Sequence, residues 1–487
     1  MFPLKKNNEI LKKTISLARE RNIIIPTFAQ QRNPNTLPKT VLDDLKKISL
    51  WQIHPRNLFR ITWKNQPKEK GGLFKDIPNF IEIPPELSGV ETRIIALIGK
   101  WFPTGSHKVG ATFGCLVPKL ITGQFDPLEQ TAIWPSTGNF CRGGAYDATL
   151  LACKSLAILP EEMSQERFDW LRSVAGEIIT TPGGESNVKE IFDQCWSLKK
   201  ERGDNVVVFN QFNEFGNYLW HYEVTGPAMK DVLEKNGTNS KLRGVCLTTG
   251  SAGTLGAVDY IKDHYPTSLS VAGESLQCPT MLQNGFGYHR IEGIGDKHIP
   301  WIHNVKNTDM VIAIDDKDCL NLLRLFNEPV GKEYLRKQGT PDYMIDNLDL
   351  LGISSIANLL LSIKLAKYYE MTRKDLIITV FTDSMQLYFS RMKELNSKFG
   401  DYSEIKAAVD YHRSLQDIKT DSMRELNYLE KKRIHNLKYF TWIEQQGKSI
   451  DELNRQWFDD SYWQSIKNSA NEIDKLILEF NKEVGLQ

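Results

Sequence analysis

A lysine lies at a junction between an apolar run and a helix-like stretch, where its amine could reach a bound ligand. The run Arg93–Lys100 is followed by Pro103-Thr104-Gly105-Ser106-His107-Lys108 and then by an apolar segment that begins at Ala111. Ligands of open α/β proteins bind in the cleft beyond the carboxyl ends of the strands, so Lys108 would point into that cleft. The alternative is a solvent-facing lysine at a helix N-terminus, which is less favourable because its charge opposes the helix dipole.

Two polar loops follow other apolar runs and have the composition of anion sites. Pro135-Ser136-Thr137-Gly138-Asn139 comes directly after Thr131–Trp134, and its hydroxyl, amide and backbone N–H groups suit a carboxylate. Thr249-Gly250-Ser251-Ala252-Gly253-Thr254 comes after Gly244–Thr248, and its small residues can cradle a phosphate on backbone N–H groups. The second loop matches neither G-x-x-x-x-G-K-[ST] nor the full G-x-G-x-x-G. Taken singly, each loop could also be an ordinary capped turn between strand and helix.

A fourth polar cluster, Thr382-Asp383-Ser384, ends the apolar run Leu376–Phe381. The chain therefore carries a lysine, an Asn/Ser/Thr loop, a phosphate-type loop and late polar residues, each after an apolar run. Because the carboxyl ends of parallel strands meet at one edge of a sheet, we expect these clusters to face a common cleft.

Alternating strands and helices would position these loops. Strand candidates are Ile94–Ile98, Thr131–Trp134, Ser155–Leu159, Glu177–Thr180, Val206–Asn210, Gly244–Thr248, Ser268–Gly273, Met310–Ile314 and Leu376–Phe381. Helical periodicity between them, as in Gly143–Ala152, Ser164–Ala175 and Asn187–Lys200, predicts a parallel α/β arrangement over residues 91–390. Residues 1–90 are polar and Pro-dotted, with helices predicted near Leu11–Ala18 and Thr40–Leu50, and residues 391–487 read as a helical extension.

The ordered set of loops resembles the pyridoxal-phosphate enzymes of fold type II, which are tryptophan synthase β-like, and most closely cysteine synthase and cystathionine β-synthase. Further matches carry the resemblance. Gln211-Phe212 with Thr225-Gly226-Pro227 is similar to a Q-F…T-G-P stretch, and Glu292-Gly293-Ile294-Gly295 to an E/Q-G-I-G segment. The remaining matches are Gly352-Ile353-Ser354-Ser355 with Ala357-Asn358, and Asp383-Ser384 with Tyr388.

The resemblance implies a fold of two parallel-sheet, three-layer α/β domains with N-terminal and helical C-terminal extensions. Its boundaries would be an N-terminal extension over 1–90 packing on the core, a catalytic core over 91–390 and a helical extension over 391–487. Within the core, a smaller mobile subdomain would cover about 130–230, and the rest would form the larger one.

The resemblance also implies the roles of the residues in these loops. Lys108 would form the internal Schiff base with pyridoxal 5′-phosphate and later move the substrate's α-proton, since a deprotonated amine can do both. Residues Gly250, Ser251, Ala252, Gly253 and Thr254 would hold the cofactor phosphate. Asn139 would bond the phenolic oxygen, Ser384 would meet the pyridine nitrogen, and Ser136, Thr137 and Gln211 would hold the substrate carboxylate. No metal site is expected.

The residue behind the pyridine ring would decide the reaction type. A serine can bond a neutral ring, which is a weaker electron sink than a ring protonated by a carboxylate. That favours loss of a β leaving group through an aminoacrylate, and hence β-replacement on O-acetylserine, serine or a relative. The alternatives are β-elimination of the dehydratase or ammonia-lyase type and, from another class, a non-catalytic binding protein on the same fold. If Asp383 faced the ring, this argument would reverse.

Departures from the family pattern leave the substrate open. Val109-Gly110 follows the lysine where Asp-Arg is common, Ala252 stands where a central glycine is usual, and Ile356 replaces the second glycine of G-x-S-S-G.

Composition narrows the partners and the compartment. The chain has 487 residues, 41% of them hydrophobic, and 61 basic against 60 acidic residues give a net charge of +1. This composition predicts a globular protein and gives no reason to expect a nucleic-acid or membrane partner. Seven scattered cysteines without a C-x-x-C favour reduced thiols in the cytoplasm. We expect a small amino-acid substrate and a homodimer.

Overall fold

The computed structural model describes residues 4–68, 71–185, 187–237, 239–295 and 297–486. The first half of the chain contains α1 (Asn8–Glu20), α2 (Phe28–Arg32), α3 (Lys39–Leu45), β1 (Phe80–Ile83), α4 (Pro85–Ser88), β2 (Arg93–Ile98), α5 (Lys108–Ile121), β3 (Thr131–Pro135), α6 (Asn139–Leu150), β4 (Lys154–Pro160), α7 (Gln165–Val174), β5 (Glu177–Thr181), α8 (Val188–Arg202), β6 (Val206–Val208), α9 (Phe215–Trp220) and α10 (Gly226–Asn236).

The second half continues the alternation of strands and helices and then becomes mostly helical. It contains β7 (Lys241–Thr248), α11 (Leu255–His264), β8 (Leu269–Ser275), α12 (Thr280–Gln283), β9 (Met310–Ile314), α13 (Asp316–Asn327), α14 (Pro329–Lys337), α15 (Asp342–Ile345), α16 (Ile353–Tyr368), β10 (Asp375–Phe381), α17 (Phe389–Phe399), α18 (Glu404–Tyr411), β11 (Met423–Glu425), α19 (Tyr428–Asn436), α20 (Ile450–Phe458) and α21 (Ser461–Val484). No helix in these described ranges is both long and apolar enough to cross a bilayer.

The strands form two sheets, and the predicted α/β fold of the fold type II kind is confirmed. The larger sheet has seven strands in the order β1-β2-β10-β7-β8-β9-β11, and the smaller has four in the order β5-β4-β3-β6. All of the smaller sheet and the centre of the larger one are parallel. Helices cover these strands because their burial is nearly continuous, as parallel sheets require.

The strand order brings the polar loops together. In the larger sheet β10 lies between β2 and β7, so the loops after these three strands are neighbours at one edge. In the smaller sheet β3 pairs with β6, which brings together the loops that follow them. Helix α5 carries the chain from β2 in the larger sheet to β3 in the smaller one. Its first residue, Lys108, therefore lies where the chain passes from one sheet to the other.

The two ends of the chain add antiparallel edge strands, which corrects the expectation of a purely helical C-terminal extension. Strand β1 pairs with β2, and β11, within that extension, pairs with β9. Two other boundaries are shorter than expected. The strand from Val206 ends at Val208 because Asn210 begins a turn, and the helix near Thr40 ends at Leu45, whose carbonyl accepts a hydrogen bond from the buried Arg60 guanidinium.

Helix α5 packs against α9 at backbone contact distance. A Cβ on Gly114 would lie 2.3 Å from the Gly216 carbonyl oxygen, and a Cβ on Gly110 would lie 2.0 Å from the Trp220 ring. Only glycine permits this approach, so these two positions fix the helix that carries Lys108.

We expect Gly114→Ala to lower the free energy of unfolding by about 3 kcal/mol, because the new methyl group would meet a fixed carbonyl. Urea unfolding followed by circular dichroism measures the loss. Gly176→Ala is the matched control: its Cβ would lie 3.1 Å from the Ser155 carbonyl oxygen, and we expect a change below about 1 kcal/mol. Equal losses in the two variants would contradict the close contact between α5 and α9.

Candidate active site

Lys108 faces a cavity that it shares with the phosphate-type loop. Its Nζ lies 3.1 Å from the Ser251 hydroxyl, and the cavity is also lined by Gly250, Ala252 and Thr254. Residues that the sequence analysis gave no role complete the wall: His107, Asn358, Thr382, Gly293 and Ile294. The lysine is half-buried. The geometry therefore places the amine beside the loop predicted to bind a phosphate.

The phosphate-type loop presents free donors. Among the described residues, the backbone N–H groups of Gly250, Ser251, Ala252 and Thr254 have no hydrogen-bond acceptor. They precede the N-terminus of α11, where the helix dipole adds to their attraction for an anion. Gly253 is required for close packing, because a Cβ there would lie 1.9 Å from Asn217 Oδ1. The loop thus forms a cradle of donors at the edge of the Lys108 cavity.

The loop after β3 meets the loop after β6. Gln211 Nε2 donates to Ser136 Oγ at 3.3 Å, and both side chains are buried. Asn217 then joins this pair to the phosphate-type loop, since its Nδ2 donates to the Gln211 carbonyl and to Ser251 Oγ, each at 3.0 Å. A continuous series of hydrogen bonds runs from Lys108 through Ser251, Asn217 and Gln211 to Ser136.

The other two predicted residues of the β3–α6 loop have different partners. Thr137 donates its hydroxyl hydrogen to the buried Glu185 carboxyl group. Asn139 Nδ2 donates to Asp383 Oδ2 at 2.6 Å, and its Oδ1 accepts from Arg142 at 3.3 Å. Asn139 thus links the smaller sheet to the loop after β10 in the larger sheet.

In the loop after β10, Thr382 rather than Ser384 lines the Lys108 cavity. Thr382 Oγ1 lies 3.3 Å from His107 Nε2. Ser384 is buried and precedes a short 3-10 turn, and within the described part of the chain its hydroxyl has no hydrogen-bond partner. Its contact with a pyridine nitrogen stays a prediction.

Asp383 is held away from the Lys108 cavity. Its Oδ2 accepts hydrogen bonds from Asn139 and from the Tyr388 hydroxyl at 2.8 Å, and its Oδ1 faces Gly352. Burial raises the pKa of Asp383, although the Arg167 guanidinium opposes the rise. The carboxyl group acts on Asn139, and it is not among the residues that line the Lys108 cavity.

His107 adds no positive charge next to Lys108. Complete burial, together with the neighbouring lysine, lowers the pKa of His107 to about 3, so the imidazole is neutral at physiological pH. Its ring lies edge-on to that of His221, with centroids 5.1 Å apart. A neutral neighbour keeps the lysine amine from being flanked by a second cation.

A buried ion network connects the two sheets behind the substrate loop. Arg167, on α7, pairs with Glu292, which also accepts from Arg391 Nε at 2.5 Å. Arg167 also donates to the Tyr388 hydroxyl at 3.0 Å and packs against Gly138, where a Cβ would lie 2.3 Å from its Nε. Glu292 was part of the matched segments, whereas Arg167 lies in an ordinary amphipathic helix and had no signal in the sequence.

Comparison with known proteins assigns the family. Residues 101–329, which include Lys108 and the loops after β3 and β7, match the family described as pyridoxal-phosphate dependent enzyme. This part of the chain belongs to that family. Its cofactor is therefore pyridoxal 5′-phosphate, and the domain is an enzyme.

Curated relatives and solved structures agree with this family. The chain is 25% identical to cystathionine beta-synthase of Saccharomyces cerevisiae over 316 residues, which cover 63% of this chain and 59% of the yeast protein. It is 29% identical to cysteine synthase of Staphylococcus aureus over 289 residues, which cover 59% of this chain and 84% of that protein. A hydrogen sulfide-producing enzyme from Fusobacterium nucleatum has the same fold, with a TM-score of 0.55, 21% identity and coverage of 72% of this chain and 100% of that one.

The residues present fit the cofactor. The unpaired N–H groups of Gly250, Ser251, Ala252 and Thr254 match a phosphate, and Lys108 lies in the same cavity to meet the aldehyde. No group of three His, Cys, Asp or Glu side chains within the described ranges could hold a metal ion.

Ala252 has a backbone conformation that favours glycine. Its φ is +60°, so the Cβ of an L-residue is crowded there. We expect Ala252→Gly to raise the free energy of unfolding by about 1 kcal/mol. The control is Ala257→Gly inside helix α11, where we expect a loss of about 1 kcal/mol. Chemical unfolding of the apoproteins measures both, and a loss of stability in Ala252→Gly would contradict the left-handed conformation.

Proposed function

We propose that this chain catalyses β-replacement on a small amino acid such as serine or O-acetylserine, with a thiol or another nucleophile. The observation that carries the proposal is the hydrogen-bonded series from Lys108 through Ser251 and Gln211 to Ser136. It places the amine, a phosphate cradle and a carboxylate-binding loop side by side. The relatives named cystathionine beta-synthase and cysteine synthase support the same reaction class.

Each residue has a task in this proposal. The bound cofactor supplies an aldehyde that condenses with amines and a ring that withdraws electrons from the substrate Cα. The Lys108 amine takes the α-proton and later returns it, which requires it to be neutral when the substrate arrives. Ser136 and Gln211 hold the substrate carboxylate, together with Thr137, and thereby fix the Cα–H bond relative to Lys108.

The ring-binding residues favour loss of a leaving group. Asn139 would bond the phenolic oxygen and Ser384 the pyridine nitrogen, as the family resemblance implies. Asp383 is held by Asn139 and Tyr388, which supports a ring without a carboxylate partner and hence a weaker electron sink. A weaker sink suits departure of a β-substituent as the α-proton leaves.

The assembly and the compartment belong to the same proposal. Large exposed apolar side chains on the C-terminal extension, among them Leu429, Phe440 and Ile450, support a homodimer. All seven cysteines are free and buried, which supports a cytoplasmic enzyme. The smaller sheet, whose strands lie between Thr131 and Val208, supports a mobile subdomain over about 130–230 within a core of 91–390.

Borohydride treatment tests the role of Lys108. The purified protein should be yellow, and reduction should fix the cofactor to the peptide that contains Lys108. We expect Lys108→Ala to lose the adduct and to lower turnover at least about 1000-fold, because it removes both the amine and the base. Lys119→Ala, on the same helix, should keep both.

The products decide between the two reaction types. β-Replacement requires a second substrate, whereas pyruvate and ammonia formed without one would select β-elimination. A protein that stays colourless after addition of pyridoxal 5′-phosphate, or an adduct on a lysine other than Lys108, would contradict the proposal.

A further inference from the structure

Glu185 is a buried carboxyl group in contact with the proposed substrate loop. It lies between β5 and α8, is 5% exposed and accepts a hydrogen bond from Thr137 through Oε1. Its Oε2 has no hydrogen-bond partner among the described residues. An ionised oxygen in that position would lose its hydration without compensation, so the arrangement fits a protonated carboxyl group.

The charges around Glu185 favour the same protonation state. Burial raises the pKa of Glu185 well above its usual range; the Glu292 carboxylate raises it further, whereas Thr137 and Arg167 oppose the rise. Glu185 also lines a small cavity whose other titratable side chains are Glu162, Tyr288, His289, Arg290, Glu292 and Arg391. Both arginines of that cavity have carboxylate partners in Glu292 and Glu394.

The Glu185 cavity adjoins the Lys108 cavity. Glu292 lines the first, and the next two residues, Gly293 and Ile294, line the second. On the other side, Thr137 joins Glu185 to the loop that carries Ser136. A substrate whose carboxylate lay on that loop and whose Cα lay near Lys108 would therefore have its β-substituent within the region bounded by Glu185.

We propose that Glu185 is the proton donor to the leaving group, and that the substrate loses a hydroxyl group, as serine does. This inference rests on the proposed function. The Lys108 amine takes the α-proton, the electrons of the Cα–H bond form a Cα=Cβ double bond, and the Cβ–O bond breaks. The departing oxygen takes the Glu185 proton and leaves as water.

The same group closes the cycle. When a thiol adds to Cβ, its proton returns to the Glu185 carboxylate, and Lys108 returns its proton to Cα. Serine and a thiol thus become a thioether and water without any other reactant. Acetate leaves as a stable anion and needs no such donor, so a buried acid at this position distinguishes a hydroxyl from an ester leaving group.

The experiment compares Glu185→Gln with the wild-type holoenzyme on two substrates, L-serine and O-acetyl-L-serine, each with sulfide. Glutamine keeps the oxygen that accepts from Thr137 but cannot give a proton. We expect turnover of serine to fall at least about 100-fold and turnover of O-acetylserine to fall less than about 3-fold. Glu162→Gln, a change of a carboxylate in the same cavity, should leave the ratio of the two rates unchanged.

An independent readout uses the apoproteins. The infrared difference spectrum between wild type and Glu185→Gln at pH 7 should contain the C=O band of a protonated carboxyl group, and the two proteins should unfold at the same temperature. Absence of that band would overturn the proposal even if activity changed.

The outcomes separate the two claims. A wild-type enzyme that turned over neither substrate would reject the proposed function and, with it, this role for Glu185. A wild type active on O-acetylserine but not on serine, or a variant slowed equally on both, would reject the role of Glu185 alone.

Discussion

The contact between the Lys108 amine and the Ser251 hydroxyl is the interaction on which the site depends. It joins the first residue of the helix that crosses between the sheets to the loop that follows β7. The contact forms only if α5 enters at one fixed height, which its glycines set by letting α9 approach the backbone. The phosphate cradle is in turn held by Asn217, whose side chain fills the space that a larger residue at 253 would need. Packing therefore decides where the amine meets the donors.

A second constraint is the burial of charge between the two sheets. Arg167 and Glu292 are almost completely buried, and such a pair contributes little net stability because both ions lose hydration. Breaking it would leave an uncompensated charge, so the pair fixes how the smaller sheet lies against the larger one. Asp383 extends this network to Asn139. The residues proposed to meet the cofactor ring are thus positioned by contacts that come from both sheets.

The sequence predicted the parallel strands and the loops that follow them, because continuous apolar runs ending in Gly, Ser, Thr or Asn have a strong local signal. It missed β1 and β11, since a short edge strand of mixed polarity has little periodicity. It also missed Asn217, Glu185 and Arg167, whose positions depend on contacts between distant segments. Thr382 and Ser384 stand two residues apart, and only the turn after β10 decides which of them lines the cavity. Local chemistry was readable, whereas side-chain direction required the packed fold.

The most direct test of the account is a crystal structure of the protein loaded with pyridoxal 5′-phosphate. The account predicts electron density that joins the cofactor to Lys108 Nζ, with the phosphate group on the backbone N–H groups between Gly250 and Thr254. Density joining the cofactor to a different lysine, or a phosphate group bound away from that loop, would contradict it.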